Sequence, residues 1–317
     1  MANSNHVPEV SVVIPAYKVA PFMEETLQSV LSQTVTDYEI IIVNDGSPDT
    51  EQLERVLAPY QDRIDYIKQS NQGAGAARNT GLRAARGYYV AFLDGDDVWN
   101  PDFLEEQLKL IKSDGGYDLV YANAVLIGKS PWVGKTFMDR DPSEGPATLE
   151  ALLGERCMVL TSAVLAKREP ILKVGLFDET LRNSQDFDLW VRLAKHAKAR
   201  IGYQRKVLLR HRAHAGSLAS DGIRSVEGEL KVLSRVREWP DLTSEERSTL
   251  ESTIALRTAS VSLDRGKRQL LASDYKAASQ SFTKAYDYYK TWKLRLVLAM
   301  LRIAPGSLRW IIQKRAV

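Results

Sequence analysis

Residues 10–44 read VSVVIPAYKVAPFMEETLQSVLSQTVTDYEIIIVN. Val10–Pro15 and Glu39–Asn44 are short apolar runs rich in β-branched residues, and between them Pro21–Gln33 carries apolar residues three and four apart. The first two have the length and composition of strands, the third the period of an amphipathic helix. Strands joined through a helix run parallel, because a tight turn can only reverse the chain. Working outward, Thr50–Tyr60 and Gly73–Ala85 repeat the helical spacing, while Ile64–Lys68 and Tyr88–Leu93 repeat the strand composition. Strands apolar along their whole length are covered on both faces. The expected fold is therefore α/β, a mainly parallel sheet flanked by helices. Further on, Asp186–Ala197 reads as another amphipathic helix and Lys206–Arg210 as a closing strand. Past about residue 220 the strand signals stop, so the chain is expected to divide into an α/β domain over 1–220 and an all-α region over 221–317.

The 317 residues are 44% apolar and 26% charged, which suits a large buried core and not a disordered chain. Cys157 is the only cysteine, excluding an intramolecular disulfide framework and a multi-cysteine zinc site. The start MANSNHVPEV lacks the basic patch and apolar run of a secretory signal, so a cytoplasmic location is expected. The longest apolar run, Leu296–Ala304, is interrupted by Arg302 and falls short of the roughly 20 residues that span a bilayer. Net charge is +3, but residues 221–317 hold 18 Lys and Arg against 11 Asp and Glu, a balance of +7 that leaves −4 for residues 1–220. Such a split fits a basic half that meets an anionic surface.

The strongest chemical signal is Asp94-Gly95-Asp96-Asp97, directly after Tyr88–Leu93. Carboxylates that close repel one another unless a cation sits among them, and oxygen ligands with no soft donor nearby suit Mg²⁺ or Mn²⁺. Open α/β sheets bind ligands at the carboxyl ends of their strands, and such a metal fills its remaining positions with substrate phosphates. An acidic loop capping the next helix is the plainer alternative. A second acidic turn, Asn44-Asp45-Gly46-Ser47-Pro48-Asp49, leaves the same rim, as does Pro15-Ala16-Tyr17 after the first strand. Tyr17 offers an aromatic face to a base and Asp45 a carboxylate to a ring N–H, against the commoner fates of core tyrosine and ordinary turn. Gln69–Asn79, QSNQGAGAARN, is a Gly-rich loop entering a helix, where small residues let backbone approach a ligand and Arg78 supplies a fixed cation. It is not a Rossmann fingerprint, and no complete P-loop pattern, Gly-x4-Gly-Lys-Ser/Thr, occurs.

Val10–Tyr17, Ser29–Ser47, Gln69–Gly81 and Phe92–Trp99 (FLDGDDVW), in that order, resemble the family 2 glycosyltransferases of the GT-A fold. The resemblance continues through Val174–Glu179 (VGLFDE), Gln185–Trp190 (QDFDLW) and His211–Ser217 (HRAHAGS), covering nearly all of residues 8–220. It implies an inverting enzyme of the bacterial surface-glycan type. The donor would be a nucleotide-diphosphate sugar, foremost a UDP-sugar, and the acceptor a hydroxyl of a saccharide or lipid-linked glycan. By that resemblance Tyr17 and Asp45 hold the base, Pro15 belongs to the same substrate site, Arg78 assists at base or diphosphate, and Asp94 faces ribose and metal. Asp96 would bind the Mn²⁺ or Mg²⁺ directly, Asp186 would take the acceptor's proton, and His214 matches a late basic loop that closes on phosphate or metal. Asp186 also stands where a helix N-cap is expected, with Asp188 a surface or capping acid. Three positions depart from the family's pattern: Lys18 where asparagine is frequent, Asn44 where many members have aspartate, and Gln185 where an acid often precedes the base. A nucleotidyltransferase would need a basic Gly-rich loop where this chain has Pro15-Ala16-Tyr17-Lys18. A non-catalytic glycan- or nucleotide-binding module is the alternative from another class.

In the C-terminal region, Gly266, Ala272, Tyr275, Ala278, Phe282 and Ala285 have the spacing of one tetratricopeptide-type helix pair, expected as a hairpin over 259–290. Residues 292–317 carry six cations, Lys293, Arg295, Arg302, Arg309, Lys314 and Arg315, and no acid. Aliphatic residues and two tryptophans between them describe two short basic helices around Pro305-Gly306, the pattern of an interfacial anchor on an anionic membrane. The protein is thus expected to lie peripherally on the inner face of the cytoplasmic membrane, unless these faces pack on the hairpin or a second subunit. Nucleic acid is not an expected partner, because the cations interleave with aliphatics and not with stacking aromatics.

Overall fold

The computed structural model describes residues 6–140, 143, 145, 147–214, 216 and 221–315. They form two compact units, one within residues 1–220 and one within 221–317. The first unit runs β1 (Val10–Ala16), α1 (Ala20–Leu31), β2 (Tyr38–Asp45), α2 (Thr50–Leu57), β3 (Asp65–Gln69), α3 (Ala74–Ala84), β4 (Tyr89–Phe92), β5 (Val98–Trp99), α4 (Phe103–Ile111), β6 (Leu119–Gly128), α5 (Phe137–Arg140), α6 (Leu149–Leu153), β7 (Val164–Lys167), α7 (Arg168–Lys173), α8 (Gln185–His196) and β8 (Ile201–Ala213). The strands make one sheet in the order β3-β2-β1-β4-β7-β6-β8-β5. From β3 to β4 every pairing is parallel. β7 then runs antiparallel to β4 and β6, while β8 is parallel to β6 and antiparallel to β5. The fold is the expected α/β class, with a mixed second half.

Alternate residues of the parallel strands enter different layers, as the strand period requires. Val10, Val12 and Ile14 of β1 and Ile40 and Ile42 of β2 pack with Met23, Leu27 and Val30 of α1. Ile41 and Val43 face the other way, onto Ala77 of α3. Each such side chain contributes about 1.5–3 kcal/mol on burial. Gly81 lets α3 lie close on β1: a Cβ there would stand 2.4 Å from Val13 Cγ1. In this unit two expected elements change extent by three residues or more. The helix read over Thr50–Tyr60 ends at Leu57 and continues as a 3-10 turn, Ala58–Arg63, because Pro59 has no N–H to carry an α-helix onward. The closing strand read over Lys206–Arg210 is the centre of the 13-residue β8. Cys157 is buried.

The second unit comprises α9 (Gly222–Arg237), α10 (Ser244–Leu271), α11 (Tyr275–Tyr289), α12 (Trp292–Ile303) and α13 (Pro305–Arg315). The first arm of the expected hairpin is longer than read: α10 starts at a capping box formed by Thr243 and Glu246 and runs 28 residues. Gly266 of α10 meets the Phe282 ring of α11, which a Cβ would approach to 2.9 Å. Leu294 and Leu301 of α12 and Leu308 of α13 join Leu270, Ala278, Phe282 and Ala285 in one cluster. One face of the basic tail therefore packs on the hairpin. Among the described residues no helix is long and apolar enough to cross a membrane.

Candidate active site

The carboxyl ends of β1, β2 and β4 share one edge of the sheet, and the residues that leave them build the site. Tyr17, just beyond β1, is 43% exposed with the Lys18 ammonium 5.2 Å from its ring centre, so it is a rim residue and not a core one. Lys18 has φ +58° and its N–H donates to Ser47 Oγ at 2.7 Å. Pro15 is the penultimate residue of β1, in register with Val43 of β2. Asp45 ends β2 with its carboxylate buried, where it accepts from Gln69 Nε2 (2.8 Å), Gln72 N (2.9 Å) and Gly73 N (2.8 Å). Asp45 thus fixes the Gly-rich loop that leads into α3. Asn44 donates to Thr50 Oγ1 and Tyr66 Oη and accepts from Ser47 N, a set of partners that an ionised aspartate could not satisfy.

Arg78, on α3, is buried and donates to Asp94 Oδ1 at 2.5 Å. Burial opposes its charge, but the fields of Asp94, Asp186 and Asp96 together raise its pKa. Its Nε is buried without a hydrogen-bond partner among the described residues. The guanidinium therefore stands among three carboxylates drawn from two distant segments. At the acidic turn, Gly95 is required by space: a Cβ would come within 2.8 Å of Val19 Cγ2 and 3.2 Å of Pro15 O. Thr26 of α1 donates to the carbonyls of Gly95 and Asp97, which closes the turn from below.

The end of β8 lands on this turn. Asp97 is fully buried and accepts from Arg212 N (2.8 Å), with its other oxygen 3.0 Å from His211 Nδ1. His211 is pushed up to about 9: burial opposes the charge, and the Asp97 carboxylate overrides it. His214 Nε2 lies 2.7 Å from Asp96 Oδ2, and its ring packs on Phe22 at 4.9 Å. Asp96 is pushed up to about 6 by burial and by the charges of Asp97 and Asp94, against the opposing hydrogen bond from His214. Ala215 and Ser217, later in the same loop, lie outside the described residues.

Asp186 occupies the first turn of α8, which corrects the expected N-cap: the cap is Ser184, at φ +60°. Its Oδ2 accepts from Thr161 Oγ1 at 2.9 Å and its Oδ1 from Phe187 N at 2.9 Å. Asp188 is not a surface acid. It is buried and paired with Arg192 at 2.6 Å, one turn along the same helix. Arg192 also donates to the carbonyls of Val174 and Leu176, so this pair ties α8 to the VGLFDE segment. Asn79 of α3 holds that segment from the other side, donating to Phe177 O and accepting from Phe177 N, both at 2.9 Å.

The structure brings Arg78, Asp94, Asp96, His214 and Asp186 to one rim, with Tyr17 and Asp45 at the ends of the neighbouring strands. Residues that sequence reasoning missed are Thr161, Ser162, Asp97 and His211. Thr161 and Ser162 form a 3-10 turn before β7, where Thr161 holds Asp186 while Ser162 Oγ accepts from Asp94 N at 3.1 Å. Asp97 stood inside the acidic cluster and His211 inside the basic loop, but their pairing spans 114 residues. Among the described residues no three acidic, imidazole or thiol groups converge as a closed metal cage. Asp94 and Asp96 are oxygen donors of the kind a hard divalent ion takes one or two at a time, completing its shell with phosphate and water.

A family model described as glycosyl transferase family 2 matches residues 11–156. An uncharacterized glycosyltransferase of Rickettsia prowazekii is 30% identical over 321 residues, covering 98% of this chain and 91% of its own length. Another, from Methanocaldococcus jannaschii, is 33% identical over 58% of this chain and 64% of its own length. Among solved structures, the mannosyltransferase PcManGT from Pyrobaculum calidifontis in complex with GDP-Man and Mn²⁺ matches with a TM-score of 0.63 at 17% identity, over 98% of this chain and 85% of that one. S. aureus TarS 1–349 in complex with UDP-GlcNAc matches with a TM-score of 0.62 at 18% identity, over 96% and 90%. At those identities the structural likeness speaks for the fold.

Proposed function

The chain belongs to glycosyltransferase family 2, and on that premise we propose that its first unit moves a sugar from a nucleoside-diphosphate donor, foremost a UDP-sugar, to a hydroxyl of a saccharide or lipid-linked glycan, with inversion. The observation that carries this reading is Arg78, a buried cation on which Asp94, Asp96 and Asp186 all act. The carboxylates assigned to the diphosphate side and the proposed base would then share one electrostatic neighbourhood. Tyr17 would lie against the base. Asp45 would meet the base at its ring N–H while holding the loop of Gln72 and Gly73 in place beneath it. Asp94 and Asp96 would hold Mn²⁺ or Mg²⁺, which would neutralise the charge that builds on the departing diphosphate, and His214 would close on phosphate or metal.

Asp186 would accept the proton of the acceptor hydroxyl as that oxygen bonds to the anomeric carbon. The bond from that carbon to the donor's diphosphate oxygen breaks, and its electron pair leaves with the nucleoside diphosphate. One displacement from the opposite face inverts the anomeric configuration. Thr161 keeps the carboxylate aimed by donating to one of its oxygens.

Calorimetric titration of the purified protein with UDP, GDP and dTDP, each with and without Mn²⁺, tests the donor site. Metal-dependent binding of UDP that disappears in Asp96→Ala is the expected result, and no binding of any of the three with metal present would overturn the assignment. Asp186→Asn should bind the nucleotide as the native protein does and lose at least about a hundredfold in turnover. Turnover that survives in Asp186→Asn would remove Asp186 as the base.

A further inference from the structure

Helix α12 has two apolar faces, and among the described residues only one of them has a partner. Leu294 and Leu301 are buried against the α10–α11 hairpin. Trp292, Leu296, Ala299 and Ile303 recur at spacings of four, three and four, which places them in a single line along the helix, opposite the buried pair. That line faces outward: Trp292 is 69% exposed, Leu296 51% and Ile303 84%. Lys293 lies on one flank of it and Arg295 and Arg302 on the other, all three exposed. Trp310 of α13 is exposed as well, with the Lys314 ammonium 4.4 Å from its ring centre.

Large apolar side chains ordered into a line on a surface mark a contact with something apolar. We propose that this outer face of α12 docks onto the surface of an anionic lipid bilayer, with the helix lying flat in the headgroup layer. Charge complementarity selects this occupant. Residues 292–317 contain six cations and no acid, so a second copy meeting the same face would set like charges against like. The chemistry of the line is that of the acyl boundary, and the flanking cations have stems long enough to follow it down while their heads stay with the phosphates. A 12-residue helix reaches about 18 Å, against about 30 Å of hydrocarbon, so α12 lies on the bilayer and does not cross it.

The full-length protein, without sugar donor, is sedimented with vesicles of phosphatidylcholine alone and of phosphatidylcholine with phosphatidylglycerol; the readout is thus independent of any transfer activity. Binding is expected only to the second, and to weaken as salt is raised. Changing Lys293, Arg295 and Arg302 together to Gln should weaken it about a hundredfold. The double variant Trp292→Ser with Ile303→Ser should weaken it at least about tenfold at an unchanged thermal melt, since both side chains stand in solvent. Equal binding to both vesicles, no binding, or indifference to both variants overturns the proposal. So does sedimentation as a dimer without lipid that the double variant dissolves, which would make the face a contact between copies, or stronger retention on RNA than on anionic vesicles.

Discussion

One imidazole sets the charge balance beneath the acidic turn. Free histidine titrates near about 6.5, whereas the Asp97 carboxylate holds His211 at about 9. A raised folded pKa stabilises the fold fully below the unfolded value and loses that stabilisation as pH rises through the folded one. Urea midpoints should therefore fall between about pH 6.5 and 9, by an amount worth on the order of 3 kcal/mol. His211→Ala should be destabilised at pH 6 by a similar amount, because it takes the cationic partner from a buried carboxylate, and should lose most of that slope. A native profile flat across this window would show that the pair is not charged. Lys18 stands at the other extreme of legibility. In the sequence it is only a departure from a frequent asparagine. Its φ of +58° explains the preference, since asparagine tolerates the left-handed region better than lysine does. Lys18→Asn should raise stability by a few tenths to about 1 kcal/mol, read as a higher urea midpoint. Asn44 likewise looks like a lost acid until its two donated and one accepted hydrogen bonds are seen.

Between elements, the site depends on two short connections. Asn79→Ala would leave the Phe177 N–H and C=O without their partner and release the segment that precedes α8. A loss of about 1–3 kcal/mol is expected, as a lower urea midpoint at unchanged slope. Thr161→Val removes the hydroxyl that aims Asp186 and keeps the side chain's shape. It should lower kcat about tenfold with donor KM unchanged; a raised KM at native kcat would give Thr161 a binding role instead. The parallel strands were legible because stretches such as Ile40–Val43 are apolar at every position. The antiparallel β7 and the turn at Thr161 were not, having four residues and three, too few for any period to show. The end of α2 was in principle legible in Pro59. The N-cap of α8 was not, since Ser184 and Asp186 are both residue types that favour an N-cap.

At the scale of the molecule, periodicity told the layers apart and composition told the charged end from the rest, but neither reports contacts between segments a hundred residues apart. The joining of His214 to Asp96, 118 residues away, is a property of the sheet order and not of either local sequence. The acidic cluster is legible because packed carboxylates call for a cation, and Asp186 through the family resemblance, while their serine and threonine neighbours carry no such signal. Cys157 gives a whole-chain readout. It is buried, and that burial pushes its thiol up to about 12, so the reactive thiolate is scarce at pH 8. Native protein should resist maleimide and react fully in denaturant, and rapid native reaction would contradict the burial. The chain thereby arrives chemically silent to thiol reagents: a cysteine placed at Leu296 would be the single handle for a fluorophore or spin label, with no background cysteine to remove first.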